Sequence, residues 1–193
     1  MNSNKSEHPV KTLLILLNMG GPQNKDEIHP YLKELFQDRE LLKLPFQKIL
    51  GRFIAWRRTP KIQERYEEIG QYSPTKAIME SQCEGIAQKL DQLSPESAPH
   101  VCVSGFRYCS PRPGEMIKQY KGAEKIILFS QYPQHSCCTS GSSFCDAYRW
   151  LNNQNSSDYQ DKISVIDQWW DRADYTELWA MLIQRKFEEV KKE

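Results

Sequence analysis

The sequence predicts an α/β protein with a doubly wound, four-stranded parallel sheet and a helical insertion after the first strand. Four short apolar runs are rich in Val, Ile, Leu or Phe and are flanked by turn residues, which is typical of parallel strands covered on both faces. The runs are Thr12–Leu17, His100–Phe106, Lys125–Ser130 and Lys162–Asp167. Helical patterns lie between them, and this alternation predicts right-handed crossovers within one sheet.

Three helical segments are marked by start signals or by apolar stripes. Ser73-Pro74 predicts a helix start, with Ser as N-cap and Pro at the first helical position, and an apolar face follows from Met79 to Leu90. A second helix is predicted from Thr139 to Leu151. The last segment carries an apolar stripe from Leu178 to Val190 and ends in charge.

The stretch between the first two strands, about eighty residues, is too long for one crossover helix. We therefore expect a helical insertion at about 24–72. Its most apolar stripe comprises Phe46, Ile49, Leu50, Phe53 and Ile54, with Lys and Arg around it. This pattern fits a helix packed on the core with its basic side chains in water. It equally fits an apolar lip at a membrane surface, where each basic residue contributes about 1 kcal/mol near anionic headgroups.

Composition limits the class of protein. The 193 residues suit one domain, expected at 11–193, and a net charge of +1 argues against nucleic-acid binding. Residues 1–10 are polar, lack the features of a signal peptide or a mitochondrial presequence, and are expected to be a disordered N-terminal segment. None of the six cysteines forms a CxxC pair, which favours reduced, mostly buried thiols in an intracellular protein.

Distinctive side chains follow each predicted strand, at the edge where doubly wound folds bind ligands. These segments are Asn18–Pro22, Phe106–Tyr108, Ser130–Cys137 and Asp167–Trp170. Their Met, Tyr, Trp and Arg side chains would suit a large, flat, anionic ligand. The Gly20-Gly21 pair lacks the GxGxxG pattern of dinucleotide binding, whereas Gly141-Ser142-Ser143 leaves a flavodoxin-like phosphate binder as a remote alternative.

Five motifs in order together resemble the ferrochelatase family. They are LLNMGGP (16–22), RRTPKIQERYEEIG (57–70), SP (73–74), GFRY (105–108) and QYPQHSCCTSGSS (131–143), and the similarity runs from about Lys11 to the end of the final helix. In that family two similar Rossmann-like domains enclose a porphyrin cleft, and ferrous iron is inserted into protoporphyrin IX to give haem. The resemblance implies the first domain of an animal-type member, apparently truncated, with the second domain absent.

The resemblance also assigns candidate site residues. It implies porphyrin binding by Arg58, Tyr66 and Ser73, and a cleft lined by Met19, Arg57, Arg107, Tyr108 and Tyr132. Guanidinium groups suit the two propionates of protoporphyrin, since charge-assisted hydrogen bonds contribute about 1.5–3 kcal/mol each. Cys137 matches one of the four cysteines that hold a [2Fe–2S] cluster in animal-type members, and the other three are expected elsewhere.

The family's catalytic groups have no counterpart in this chain. The resemblance places a His, in an S-x-H-x-x-P segment, and a Glu in the second domain, and that segment does not occur in this sequence. We therefore expect the chain alone to bind porphyrin without metallating it, and a non-catalytic porphyrin-binding or interaction domain is the alternative. The resemblance further implies an apolar lip at Leu35–Phe53, a homodimer, and a location on the matrix side of the mitochondrial inner membrane.

Overall fold

A computed structural model describes residues 10–70, 72–154, 159 and 161–191. Apart from Val10, the segment expected to be disordered lies outside the described residues. In the part that is described, none of the helices has an apolar stretch long enough to span a bilayer.

The sheet has four parallel strands. They are β1 (Thr12–Asn18), β2 (His100–Phe106), β3 (Lys125–Ser130) and β4 (Ile163–Ile166). The strand order is β2-β1-β3-β4, and all three neighbouring pairs are parallel. The predicted four-stranded parallel sheet is confirmed. β1 extends one residue further at its carboxyl end than predicted, and β4 is one residue shorter than predicted at each of its two ends.

Six α-helices connect or follow the strands in the described residues. They are α1 (Lys25–Gln37), α2 (Gln47–Glu68), α3 (Thr75–Leu93), α4 (Pro113–Gln119), α5 (Ser142–Asn152) and α6 (Ala173–Val190). The first three lie between β1 and β2, where the length of the connection predicted a helical insertion. The helix predicted from Thr139 begins as an α-helix only at Ser142, because a π-helical turn occupies Cys137–Gly141.

Alternate residues of β1 pack into two hydrophobic cores, one on each face of the sheet. Leu13 and Ile15 pack with α4 and α5, through a cluster that includes Ile117, Phe144, Ala147 and Leu151. Leu14 and Leu16 pack on the opposite face with α3, through Met79 and Cys83. Because successive side chains of a strand point to opposite faces, a strand buried on both sides reads as a continuous apolar run. Helices therefore cover both faces of the sheet at β1, whereas β4 stays largely exposed.

The inserted helices α1 and α2 share a small core of their own. Ile28 and Leu32 of α1 pack against Ala55 of α2. The two helices approach closely near Gly51, where an added Cβ would lie 2.7 Å from the carbonyl oxygen of Phe36. The two helices of the insertion therefore pack directly against each other.

Candidate functional site

The strand order reverses between β1 and β3, which marks the crevice where doubly wound sheets bind ligands. At the carboxyl ends of these two strands, the backbone N–H of Met19 donates a hydrogen bond to the phenol oxygen of Tyr132 (3.0 Å). The N–H of Gln131 donates to the carbonyl of Leu17 (3.0 Å) and continues the strand pairing up to this point. Met19 and Tyr132 therefore meet at the switch point of the sheet.

A tight loop after β1 brings the end of β2 into the same site. Gly20 has a φ of +81°, a conformation that favours glycine, and its N–H donates to the side-chain oxygen of Asn18 (2.9 Å). A Cβ at Gly20 would lie 2.4 Å from the sulfur of Cys109, so the loop lies against the segment that follows β2. The N–H of Tyr108 also donates to the carbonyl of Met19 (3.2 Å).

Ser73, at the end of the insertion, packs directly on the loop after β1. A Cβ at Gly21 would lie 2.4 Å from the Ser73 hydroxyl oxygen. The N–H of Ser73 donates to the carbonyl of Pro22 (3.0 Å), and the Gln23 amide donates to the carbonyls of Gly21 (3.0 Å) and Ser73 (3.1 Å). The structure thus brings Ser73 together with the Met19 loop.

Four tyrosines, Tyr31, Tyr66, Tyr108 and Tyr132, gather around this loop. Burial raises the pKa of each phenol, and the neighbouring phenols and Cys109 raise the pKa of Tyr31 further. The Tyr31 hydroxyl donates to the carbonyl of Gly20 (3.3 Å), and its ring meets that of Tyr108 edge-on at 5.9 Å. All four phenols are therefore uncharged at neutral pH and offer aromatic surface with hydroxyl groups.

Tyr31 was not predicted as a site residue. The sequence feature that could have indicated it is the position of Tyr31 in α1, three residues after buried Ile28 and next to buried Leu32. This spacing places Tyr31 on the buried side of the helix. A tyrosine on an apolar helix face carries a hydroxyl that needs a polar partner when buried. Sequence spacing does not show that this partner is the loop after β1.

Arg107 is held in a buried network beneath the site. Its side chain is 7% exposed, and a terminal nitrogen lies 3.0 Å from the carboxylate of Asp38, whose side chain is 2% exposed. The Arg107 Nε donates to the Ser142 hydroxyl (2.8 Å), and a third nitrogen lies 3.5 Å from Asp146. The Tyr108 hydroxyl donates to the same Asp38 carboxylate (2.9 Å), and the guanidinium lies 4.8 Å from the centre of the Tyr108 ring.

The network keeps Asp38 ionised. Burial acts to raise the pKa of Asp38, but hydrogen bonds from Ser142, from the N–H of Glu40 and from Tyr108, together with the Arg107 charge, bring it below its ordinary value. Asp38 caps the carboxyl end of α1, so these bonds join the insertion to β2 and α5. This placement favours a positioning role for Arg107 and Tyr108, and their direct contact with a ligand stays a prediction.

Arg57 and Arg58 lie on the exposed surface of α2. The guanidinium of Arg58 lies 5.6 Å from the centre of the Phe36 ring, which holds it above the α1–α2 pair. Within the described residues, neither arginine has a carboxylate within 4.0 Å or a hydrogen bond to Met19 or Tyr132. Both guanidinium groups are thus available to an anionic ligand, and their role stays a prediction.

Cys137 is exposed and begins the π-helical turn before α5. The thiol of the next residue, Cys138, lies 3.3 Å from the carbonyl oxygen of Glu40. A [2Fe–2S] cluster needs four thiolate ligands. Across the described ranges, no group of three or more His, Cys, Asp or Glu side chains could hold a metal ion. These residues therefore do not by themselves fit the cluster, and Cys137 as one ligand stays a prediction.

A row of aromatic side chains, Phe129, Trp169 and Tyr175, lies at the carboxyl edge of the sheet next to β3. The indole N–H of Trp169 donates to the carbonyl of Ser130 at the end of β3 (2.9 Å). The Trp169 ring stacks 6.0 Å from Phe129 and meets Tyr175 edge-on at 4.9 Å. Trp169, which the sequence placed at a strand tip, thus lies against β3 beside the segment that contains Tyr132.

Comparison with known proteins gives this edge a family context. The family model described as ferrochelatase matches residues 11–193. The mitochondrial ferrochelatases of Xenopus laevis and Gallus gallus are 48% and 47% identical over 161 residues, which cover 82% of this chain and 39% and 40% of those proteins. The mitochondrial ferrochelatase of Dictyostelium discoideum is 38% identical over 180 residues, 92% of this chain and 42% of that protein. The chain spans about two fifths of the length of these curated relatives, and it belongs to the ferrochelatase family.

Proposed function

We propose that this chain supplies the porphyrin-binding wall of a ferrochelatase, which inserts ferrous iron into protoporphyrin IX to give haem. The observation that carries the proposal is the meeting of Met19 and Tyr132 at the β1–β3 switch point (3.0 Å). Ser73 and Tyr66, which the resemblance also assigns to the porphyrin, lie against the same loop or beside its tyrosines. Family membership supports the identity of the ligand.

The side chains suit the two chemical parts of protoporphyrin. Uncharged tyrosine rings and the Met19 thioether match a flat, apolar macrocycle. Arg57 and Arg58 are exposed on α2, and we assign the two propionates to them on the family resemblance, since guanidinium groups suit carboxylates. The Asp38–Arg107 pair holds the insertion, and with it these arginines, against the sheet.

Metal insertion replaces the two pyrrole protons of the ring with ferrous iron and releases both protons, which requires a base. We assign no catalytic residue to this chain, because the family's S-x-H-x-x-P segment does not occur in it. We therefore expect the isolated chain to bind porphyrin and not to metallate it. Cys137 is proposed as one [2Fe–2S] ligand on the resemblance alone, and no step of the reaction is derived from the cluster.

A mitochondrial location is proposed from the names of the relatives. The matrix side of the inner membrane is the finer proposal: the side is taken from the family resemblance, and the membrane contact rests on the apolar lip at Leu35–Phe53. Exposure of Phe46 (80%), Ile49 (71%) and Phe53 (51%) supports this lip, since apolar side chains held in water favour insertion into an interface. A homodimer is proposed on the family resemblance alone.

Titration of protoporphyrin IX with the purified chain, followed by quenching of porphyrin fluorescence, tests the proposal. We expect saturable binding, and a Kd about 10- to 150-fold higher in Arg58→Ala, because one charge-assisted bond is lost. Arg65→Ala, also exposed on α2, is the matched control and should leave the Kd unchanged.

Two further arms of this titration separate the alternatives. Flavin mononucleotide should not raise the melting temperature, whereas protoporphyrin should, and the reverse result would indicate the phosphate binder. Anaerobic incubation with ferrous iron and protoporphyrin should give no haem. Haem formation would show that a base sufficient for the reaction lies within this chain.

A further inference from the structure

A groove runs along the outer side of the α1–α2 pair, away from the small core that joins the two helices. It has a volume of about 510 Å³ and is lined by Lys48, Ile49, Arg52, Phe53 and Trp56 of α2, with His29 of α1. We call this cavity the lip groove. Its floor is apolar and aromatic, and no carboxylate lines it.

The apolar residues of the lip groove form one stripe on α2. Ile49, Phe53 and Trp56 follow at intervals of four and three residues, so they share one helix face. They are 71%, 51% and 66% exposed, although other apolar residues of α2 pack against α1. The rings of Phe53 and Trp56 lie 6.0 Å apart and form a continuous aromatic surface.

The two cations of the lip groove have no protein partner within the described residues. Lys48 and Arg52 are four residues apart on α2, and no described carboxylate lies within 4.0 Å of either. Both side chains are exposed beside an apolar surface, so their charges are accessible to an anionic group of an external partner.

The charge around the groove is one-sided. Residues 41–63 include six basic residues and no acidic residue, although the whole chain has a net charge of only +1. Basic residues near an anionic membrane surface contribute about 1 kcal/mol each, and the same residues gain nothing from a zwitterionic surface. The segment is therefore complementary to an anionic, amphipathic partner.

Resting on the proposed docking of the lip at a membrane surface, we propose that the lip groove binds one anionic phospholipid of that membrane. Lys48 and Arg52 hold the phosphate, and Ile49, Phe53 and Trp56 lie under the first part of an acyl chain. The bound lipid orients α2 on the membrane. Because Arg57 and Arg58 follow in the same helix, the lipid also fixes the side of the membrane surface from which the porphyrin arginines project.

Vesicle co-sedimentation of the full 193-residue chain tests the inference. Two vesicle types are compared, phosphatidylcholine alone and phosphatidylcholine mixed with phosphatidylglycerol. The chain should bind the mixed vesicles more tightly. In Lys48→Gln/Arg52→Gln, affinity for the mixed vesicles should fall about thirty-fold, as two cations at about 1 kcal/mol each predict, with little change for phosphatidylcholine.

The double variant Lys61→Gln/Arg65→Gln is the matched control. It removes one Lys and one Arg at the same four-residue spacing on exposed positions of α2 outside the groove. Its loss of affinity should be several-fold smaller. An equal loss in both double variants would refute a specific groove and indicate general attraction by the basic segment. Melting temperatures of both variants should match the wild type, because all four side chains lie on the helix surface.

The remaining outcomes separate this inference from the proposals on which it rests. Equal binding to both vesicle types would overturn the anionic-lipid site but would still support membrane binding by the apolar lip. Binding to neither vesicle type would overturn both the anionic-lipid site and the membrane lip. The quenching of porphyrin fluorescence would still test whether the chain binds protoporphyrin. If Lys48→Gln/Arg52→Gln instead weakens protoporphyrin binding and leaves vesicle binding intact, the groove is a tetrapyrrole site and the lipid inference is wrong.

Discussion

Replacing Asp38 with Asn tests the buried network that joins the insertion to the sheet. The substitution keeps the size of the side chain and an oxygen that can accept from Tyr108, but it removes the charge that faces Arg107 at 3.0 Å. Breaking a buried ion pair by neutralising one partner costs about 3–5 kcal/mol. Asp146 stays 3.5 Å from Arg107 and is partly exposed, so we expect the lower end, about 3 kcal/mol.

Urea denaturation followed by circular dichroism measures this loss. A loss of 3 kcal/mol corresponds to a fall of about 6–12 °C in melting temperature for a chain of this size. Asp26→Asn, an exposed change in the first turn of α1, is the control and should cost less than about 1 kcal/mol. Arg107→Met combined with Asp38→Asn should be less destabilised than the sum of the single variants.

The contribution of ionised Asp38 to the free energy of unfolding should depend on pH. Asp38 has a lower pKa in the folded protein than in the unfolded chain, so its stabilisation is present above the unfolded value of about 3.9 and is lost as pH falls through the folded pKa. The difference in unfolding free energy between wild type and Asp38→Asn should therefore shrink in acid. A difference that is small at pH 7, or that does not change with pH, would refute the network.

Two further substitutions test the loop after β1. Gly21→Ala places a Cβ 2.4 Å from the Ser73 hydroxyl oxygen and should lower the free energy of unfolding by about 1–3 kcal/mol. The control, Gly85→Ala in the open middle of α3, should raise it by about 0.5–1 kcal/mol. Equal effects of the two substitutions in urea denaturation would contradict the packing of Ser73 on the loop. Tyr132→Phe removes the acceptor of the Met19 N–H, and we expect a loss of about 1 kcal/mol with faster amide exchange at Met19. Unchanged exchange would show that the hydrogen bond does not form in solution.

β1 was predictable because it is buried on both faces and reads as a continuous apolar run, whereas the apolar residues of β4 remain largely exposed. β2 and β3 have the predicted bounds, and Asn18 extends β1 because it still pairs with Phe106. The start of α5 was not predictable. The N–H of Gly141 donates to the carbonyl of Ser136 (2.9 Å), a five-residue spacing that apolar periodicity does not reveal.

The sequence predicted which strand ends meet at the candidate site, but not the long-range pairing around it. Met19 and Tyr132 were expected near each other because parallel strands end at one edge of the sheet. Arg107 was expected to line the cleft, and that role stays a prediction; its pairing with Asp38, 69 positions earlier in the chain, was not expected. Such long-range pairing has no periodic signal, and Tyr31 was missed for the same reason.

The proposed function requires that a bound tetrapyrrole lie against the loop after β1 that contains Met19. NMR of the chain with ¹³C-methyl methionine measures this directly, because the ring current of a porphyrin shifts a methyl group that lies over its face. Protoporphyrin should shift the Met19 methyl strongly and leave buried Met79 and the exposed Met181 of α6 unchanged. Saturable binding with an unmoved Met19 methyl, or with Met181 as the shifted residue, would contradict the claim.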